Sequence, residues 1–229
     1  MAQSQPYLGR LANVYGAYIQ VGGNPKKRKV EMSILNFFKQ NRKSKNESVE
    51  TVKASTEQLL FAENALEILS PEIESFGFER TKTKIEKNFT QIIFRKENQY
   101  LKISGSTYPT DYPYSYNIIL GEGESESFPE TDWNSISLWR LKKQIEPNSV
   151  AKEYDFPFNE KVKFSLENAK EELVKFGITF LNGDLDKFYE AIKELNKARE
   201  PYKIYSKDRN GNYVTEYEKE SMELKRKYS

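Results

Sequence analysis

Between residues 56 and 77 apolar side chains fall three and four apart. Leu59, Leu60, Ala62, Ala65, Leu66 and Leu69 share one side of a helix that Thr56 caps, Pro71 interrupts and Gly77 closes. After Gly77 the period drops to two. Phe89, Gln91, Ile93 and Arg95 alternate with Thr90, Ile92, Phe94 and Lys96, and Glu97 and Asn98 turn the chain into Tyr100, Leu101, Lys102 and Ile103, which predicts a hairpin. Residues 78–85 before it and 116–120 after it complete four antiparallel strands in a meander. Helical spacing returns with Leu166, Ala169, Leu173 and Phe176, stopping at Gly177, and again with Leu185, Phe188, Ile192 and Leu195 behind an Asp184 cap and before Pro201. Asn210, Gly211 and Asn212, set between short aromatic runs in 202–217, predict a hairpin or exposed loop, and the mixed charges of 218–227 predict a solvated helical end. Helices on both sides of an uninterrupted run of strands give an α+β class: a four-stranded antiparallel meander packed with helices, in a single domain over 56–229.

Upstream the pattern fades. Residues 40–55 are rich in Lys, Asn, Glu and Ser with little apolar spacing, so 32–55 reads as a flexible linker. Residues 5–21 differ again. Tyr7, Leu8, Leu11, Val14, Tyr15, Tyr18 and Ile19 make an apolar stripe broken by Gly9 and Gly16, with no positive n-region and no long apolar core, so residues 1–31 read as a leader or tag and as neither a secretory signal nor a membrane span.

Composition narrows the chemistry. The chain has 229 residues, 31% of them charged, and a net charge of +2, which suits one soluble domain and argues against nucleic-acid binding by bulk charge. A nucleic-acid interface would have to be local, with Lys193, Lys197, Arg199, Lys203, Lys207 and Arg209 on one face. Cysteine and histidine are both absent. Ser/His/Asp and Cys/His catalysis, thiolate chemistry, Cys/His zinc sites and disulfides are therefore excluded. Carboxylates, Lys, Tyr, Ser or a metal on oxygen ligands remain, and no glycine-rich phosphate loop is present. No cofactor is expected.

One stretch of the body differs from the rest. Residues 107–139 carry Tyr108, Tyr112, Tyr114, Tyr116, Phe128, Trp133 and Trp139 among Pro109, Pro113 and Pro129, together with Asp111, Glu122, Glu124, Glu126, Glu130 and Asp132. Tyr and Trp bury much area with few rotors, and a ring of acids speeds encounter with a basic partner, so Tyr108, Asp111, Tyr112, Tyr114, Glu122, Glu124, Glu126, Phe128, Glu130, Asp132 and Trp133 form a candidate contact surface for a basic protein. The bland alternative places Tyr116, Trp133 and Trp139 in the core and leaves the acids to solvate a loop. A sharper alternative is a carboxylate and metal dependent hydrolase. Glu122, Glu124 and Glu126 would share one side of an extended segment and, with Asp111 or Asp132, hold Mg²⁺ or Ca²⁺; such a site requires three or more converging carboxylates.

Two resemblances add to this reading. Pro25, Lys26, Lys27, Arg28, Lys29 and Val30 resemble the monopartite nuclear localisation signal of the polyomavirus large T antigen, short of one lysine, and Met32 follows like a fresh protein start. That likeness implies an import receptor as partner for 25–30, with Lys26, Lys27, Arg28 and Lys29 as its contacts, and a nuclear address on a body that is otherwise cytoplasmic. Ser75, Phe76, Gly77 and Phe78, the sheet, residues 116–121 and the Asp132 and Trp133 turn loosely resemble small uncharacterised bacterial cytosolic proteins, including immunity proteins of polymorphic toxin systems. This implies a protein-binding module that neutralises a toxin by occlusion. Residues 1–31 fused to a fluorescent reporter are expected to concentrate it in the nucleus, and replacing Lys27 and Arg28 by alanine should return it to an even distribution under the microscope.

Overall fold

Helix α1 (Thr56–Ser75) shows how packing overrides a local break. Its cap is Ser55, one residue before the expected Thr56, whose hydroxyl accepts from the Gln58 amide at 3.2 Å. The helix runs on through Pro71 because Ile68 and Leu69 before it and Ile73 after it are all buried. The computed structural model describes residues 48–52, 54–124 and 131–229. The leader, with Lys26, Lys27, Arg28 and Lys29, lies outside them, as do Glu126, Phe128 and Glu130.

The sheet is built on the expected meander: β2 (Glu79–Glu86), β3 (Phe89–Lys96), β4 (Gln99–Ser106) and β5 (Ser115–Glu122), each antiparallel to the next. A further strand, β1 (Ser48–Val52), pairs parallel with β2, within the stretch expected to be linker. Its sequence, Ser-Val-Glu-Thr-Val, has the alternation and β-branching of a strand, but it is too short to stand out from its polar surroundings. At the far edge β6 (Ser135–Ser137) and β7 (Tyr154–Asp155) pair with successive parts of β5. The fold is α+β.

Helices α2 (Leu138–Ile145), α3 (Lys161–Leu181), α4 (Asp186–Asn196) and α5 (Lys219–Tyr228) follow, with a hairpin of β8 (Lys203–Lys207) and β9 (Tyr213–Tyr217) before the last. α3 does not stop at Gly177, which packs towards Leu120 and Leu138 where the helix approaches the sheet. Asp184 lies just outside α4, and its carboxylate accepts from the Asp186 amide at 3.2 Å. Residues 44–229 form one compact unit.

α1 and α3 cover one sheet face. The rings of Phe61 and Phe156 lie 4.9 Å apart, Tyr116 donates to the Ser165 carbonyl oxygen at 3.0 Å, and the buried Gln58 carboxamide accepts from Thr90 at 2.7 Å. Alternation sends the intervening residues to the second face, where Gln91, Ser104 and Asn117 align across three strands and Ile119 pairs with Ser137. Lys102 and Tyr100 are wholly buried on this second face. Gly121 sits beneath the Tyr100 ring so closely that an added Cβ would overlap it. Gly121→Ala is expected to cost about 1–3 kcal/mol by overpacking, read as a lowered urea midpoint with an unchanged slope.

Candidate functional site

The residues singled out by sequence separate into two groups. Asp132 and Trp133 are buried, 8% and 0% exposed, and they tie the C-terminal elements to the sheet edge. The Trp133 indole N–H donates to Ser221 Oγ of α5 at 2.9 Å, and its carbonyl accepts from Asn196 of α4 at 2.8 Å. Asp132 accepts from the Tyr202 hydroxyl at 3.0 Å, and the Arg199 guanidinium lies 5.2 Å from the Trp133 ring centre. These two residues are structural, which removes them from the expected contact surface. Their partners also show how α5, a largely exposed helical end as expected, is fastened to the body through the buried Ser221 and Tyr228.

Glu122 leaves the surface for a similar reason. It is 9% exposed and lies on the helix-covered face, where one oxygen accepts from Asn98 and the other from the Tyr189 hydroxyl at 2.6 Å. The alternation expected to bring Glu122, Glu124 and Glu126 to one side fails at Gly123, whose φ of +80° turns the chain out of the strand and leaves Glu124 exposed. Among the described residues no three acidic groups converge as a metal site would require.

Tyr108, Asp111, Tyr112 and Tyr114 come together as expected, around a short helical turn at Pro109–Asp111. Tyr112 is 69% exposed and meets Tyr114 edge-on at 5.5 Å, while Tyr114 is half-buried against Phe158, 6.3 Å away. Tyr108 is 41% exposed. These rings therefore stand out from the body on a packed base.

Beside them the second sheet face opens into a groove of about 480 Å³. Its floor is Ser104 and Ser106 of β4, Ser115, Asn117 and Ile119 of β5, and Ser137 of β6. Its walls are Tyr108, Asp111 and Pro113 on one flank and Trp139 and Arg140 of α2 on another, with Glu153 near β7. Ser115 donates to one Glu153 oxygen at 2.8 Å and Asn117 to the other at 3.3 Å. Asp111 accepts from Ser106 and, at 3.0 Å, from Thr110. Neutral donors thus hold both carboxylates, and neither forms an ion pair among the described residues. Trp139, Arg140 and Glu153 were not predicted as site residues. Trp139 belongs to the aromatic stretch 107–139, which suits either a recognition surface or the core, and nothing in the local sequence places Glu153 beside Ser115.

The six basic residues considered for nucleic acid do not act alike. Arg199 turns inward to the Thr131 carbonyl and Trp133, whereas Lys203 and Lys207 alternate onto one side of the exposed β8. Among the described residues no helix is long and apolar enough to cross a membrane. No family model, no curated protein and no solved structure matches the chain.

Burial, followed by the hydrogen bond to Glu122, pushes Tyr189 up to about 12 from a usual value of 10.0. Burial also raises Tyr116, and burial with the Glu172 hydrogen bond raises Tyr154. The unfolded chain releases these protons near pH 10 while the folded chain keeps them, so stability is full below pH 10 and falls as pH rises towards 12. Urea midpoints measured from pH 8 to 12 should trace that decline, and Tyr189→Phe should make it shallower.

Proposed function

We propose that this protein is a protein-binding module that seats a basic surface of its partner on the Tyr108, Asp111, Tyr112 and Tyr114 rim and in the adjoining groove. The observation that carries this reading is the pairing of exposed aromatic rings with two carboxylates that form no ion pair among the described residues. Tyr112 offers a broad apolar face at small entropic cost, and Asp111 and Glu153 offer charge already oriented by hydroxyl and amide donors. A lysine or arginine entering the groove would replace no existing ion pair, so its attraction to them is not spent on breaking one.

Such a surface acts by occlusion. It covers a partner's basic site and needs no bond-making step, which is the behaviour implied by the likeness to immunity proteins of toxin systems. Glu122, Asp132 and Trp133 have no part in the contact, because they are committed inside the fold. A double variant, Asp111→Lys with Tyr112→Ala, changes only exposed side chains and should leave the melting temperature within about 2 °C. Affinity capture with the full chain is expected to retain a basic partner that the double variant loses at least tenfold, with retention weakening as salt rises. Equal capture by the two proteins would overturn the proposal.

A further inference from the structure

Helix α2 begins at the edge of the groove floor. Ser137 occupies its N-cap position with extended backbone, φ −73° and ψ 145°, yet makes no capping hydrogen bond. The residue is 3% exposed, and its hydroxyl has no hydrogen-bond partner among the described residues. A buried hydroxyl normally finds one, so this one is a donor left without its acceptor at the groove. Arg140, in the first turn, lies with its guanidinium 5.0 Å from the Trp139 ring centre and forms no ion pair among the described residues. The first amides of α2 also lack intrahelical acceptors. Hydroxyl, guanidinium and amides are all donors, and Ser137 and Arg140 both line the groove.

Elsewhere in the same groove the polarity reverses. Asn117 Oδ1 is buried with no donor among the described residues, while its amide nitrogen is held by Glu153. Asp111 and Glu153 add two negative charges. A groove with donors at α2 and acceptors near Glu153 complements a ligand that is itself dipolar. We propose that the α2 end of the groove is a carboxylate-binding site. The groove takes a short peptide segment whose Asp or Glu side chain meets Arg140, Ser137 and the α2 amides, while an adjacent lysine meets Glu153 and a peptide N–H meets Asn117 Oδ1. This rests on the groove being the contact surface, and it specifies what the partner inserts: a basic and an acidic residue side by side. A phosphate dianion suits the groove less well, because Asp111 and Glu153 share the same 480 Å³.

The two tryptophans provide a built-in control, since Trp139 lines the groove and Trp133 is sealed against Ser221. In proton–nitrogen correlation spectra of the full chain, acetyl-Lys-Glu-amide should move the Trp139 indole signal saturably and leave that of Trp133 in place. Acetyl-Lys-Gln-amide should need at least tenfold more peptide for the same shift. Arg140→Gln should erase that preference without changing the melting temperature. Absence of a saturable shift, equal affinity for the two peptides, or tighter binding of inorganic phosphate than of acetyl-Lys-Glu-amide would each overturn the carboxylate site. Failure of the two readings is separable. Peptide discrimination without partner capture leaves the site and removes the protein-binding function, whereas capture that depends on Asp111 and Tyr112 without peptide discrimination does the reverse.

Discussion

The Trp133 indole is the point at which the end of the chain is fastened to the sheet. Its ring is wholly buried, its N–H reaches Ser221 of α5, its carbonyl takes a hydrogen bond from Asn196 of α4, and Arg199 and Lys225 lie over its face. Ser221 in turn accepts from the Tyr202 amide, and Asn196 also donates to the Tyr228 carbonyl. Burying an indole leaves its N–H in need of an acceptor, and here the acceptor lies 88 residues away. That pairing fixes where the last helices dock, and it draws Asp132 and Trp133 inward, away from any partner.

The groove follows from the same geometry. β6 and the start of α2 come directly after the Asp132 and Trp133 turn, so the turn's position on the sheet edge decides where Ser137, Trp139 and Arg140 stand. Strand alternation then presents Ser104, Ser115 and Asn117 beside them on the face away from α1 and α3. A wall of hydroxyls and amides next to a guanidinium stacked on an indole is suited to reading polar groups. In the proposed contact the aromatic rim supplies area and the groove supplies selectivity.

Much of the fold was legible because period is a strong signal. The meander, α1, α3, α4 and the β8–β9 hairpin all announce themselves by spacing or by turn residues. Pro71 and Gly177 misled because local propensity yields to a buried face: apolar neighbours on both sides of each residue hold the helix together. β1 was missed because five residues in polar company carry too little pattern. The candidate site was legible only in part. Tyr108, Asp111, Tyr112 and Tyr114 are close in sequence, and proline-stiffened turns keep them outside. Glu122, Asp132 and Trp133 look the same by composition, but their partners Tyr189, Tyr202 and Ser221 come from far along the chain. Arg140 and Glu153 meet the groove through tertiary placement, which spacing does not encode.

Trp133 belongs to the architecture, whereas Trp139 is half-buried and lines the groove. Equilibrium urea unfolding of Trp133→Phe and Trp139→Phe compares them most directly. Trp133→Phe, which leaves Ser221 without its indole donor, is expected to lower stability by about 1 kcal/mol or more, while Trp139→Phe should stay within about 0.5 kcal/mol of the parent. Equal losses, or a larger loss at Trp139, would contradict that division.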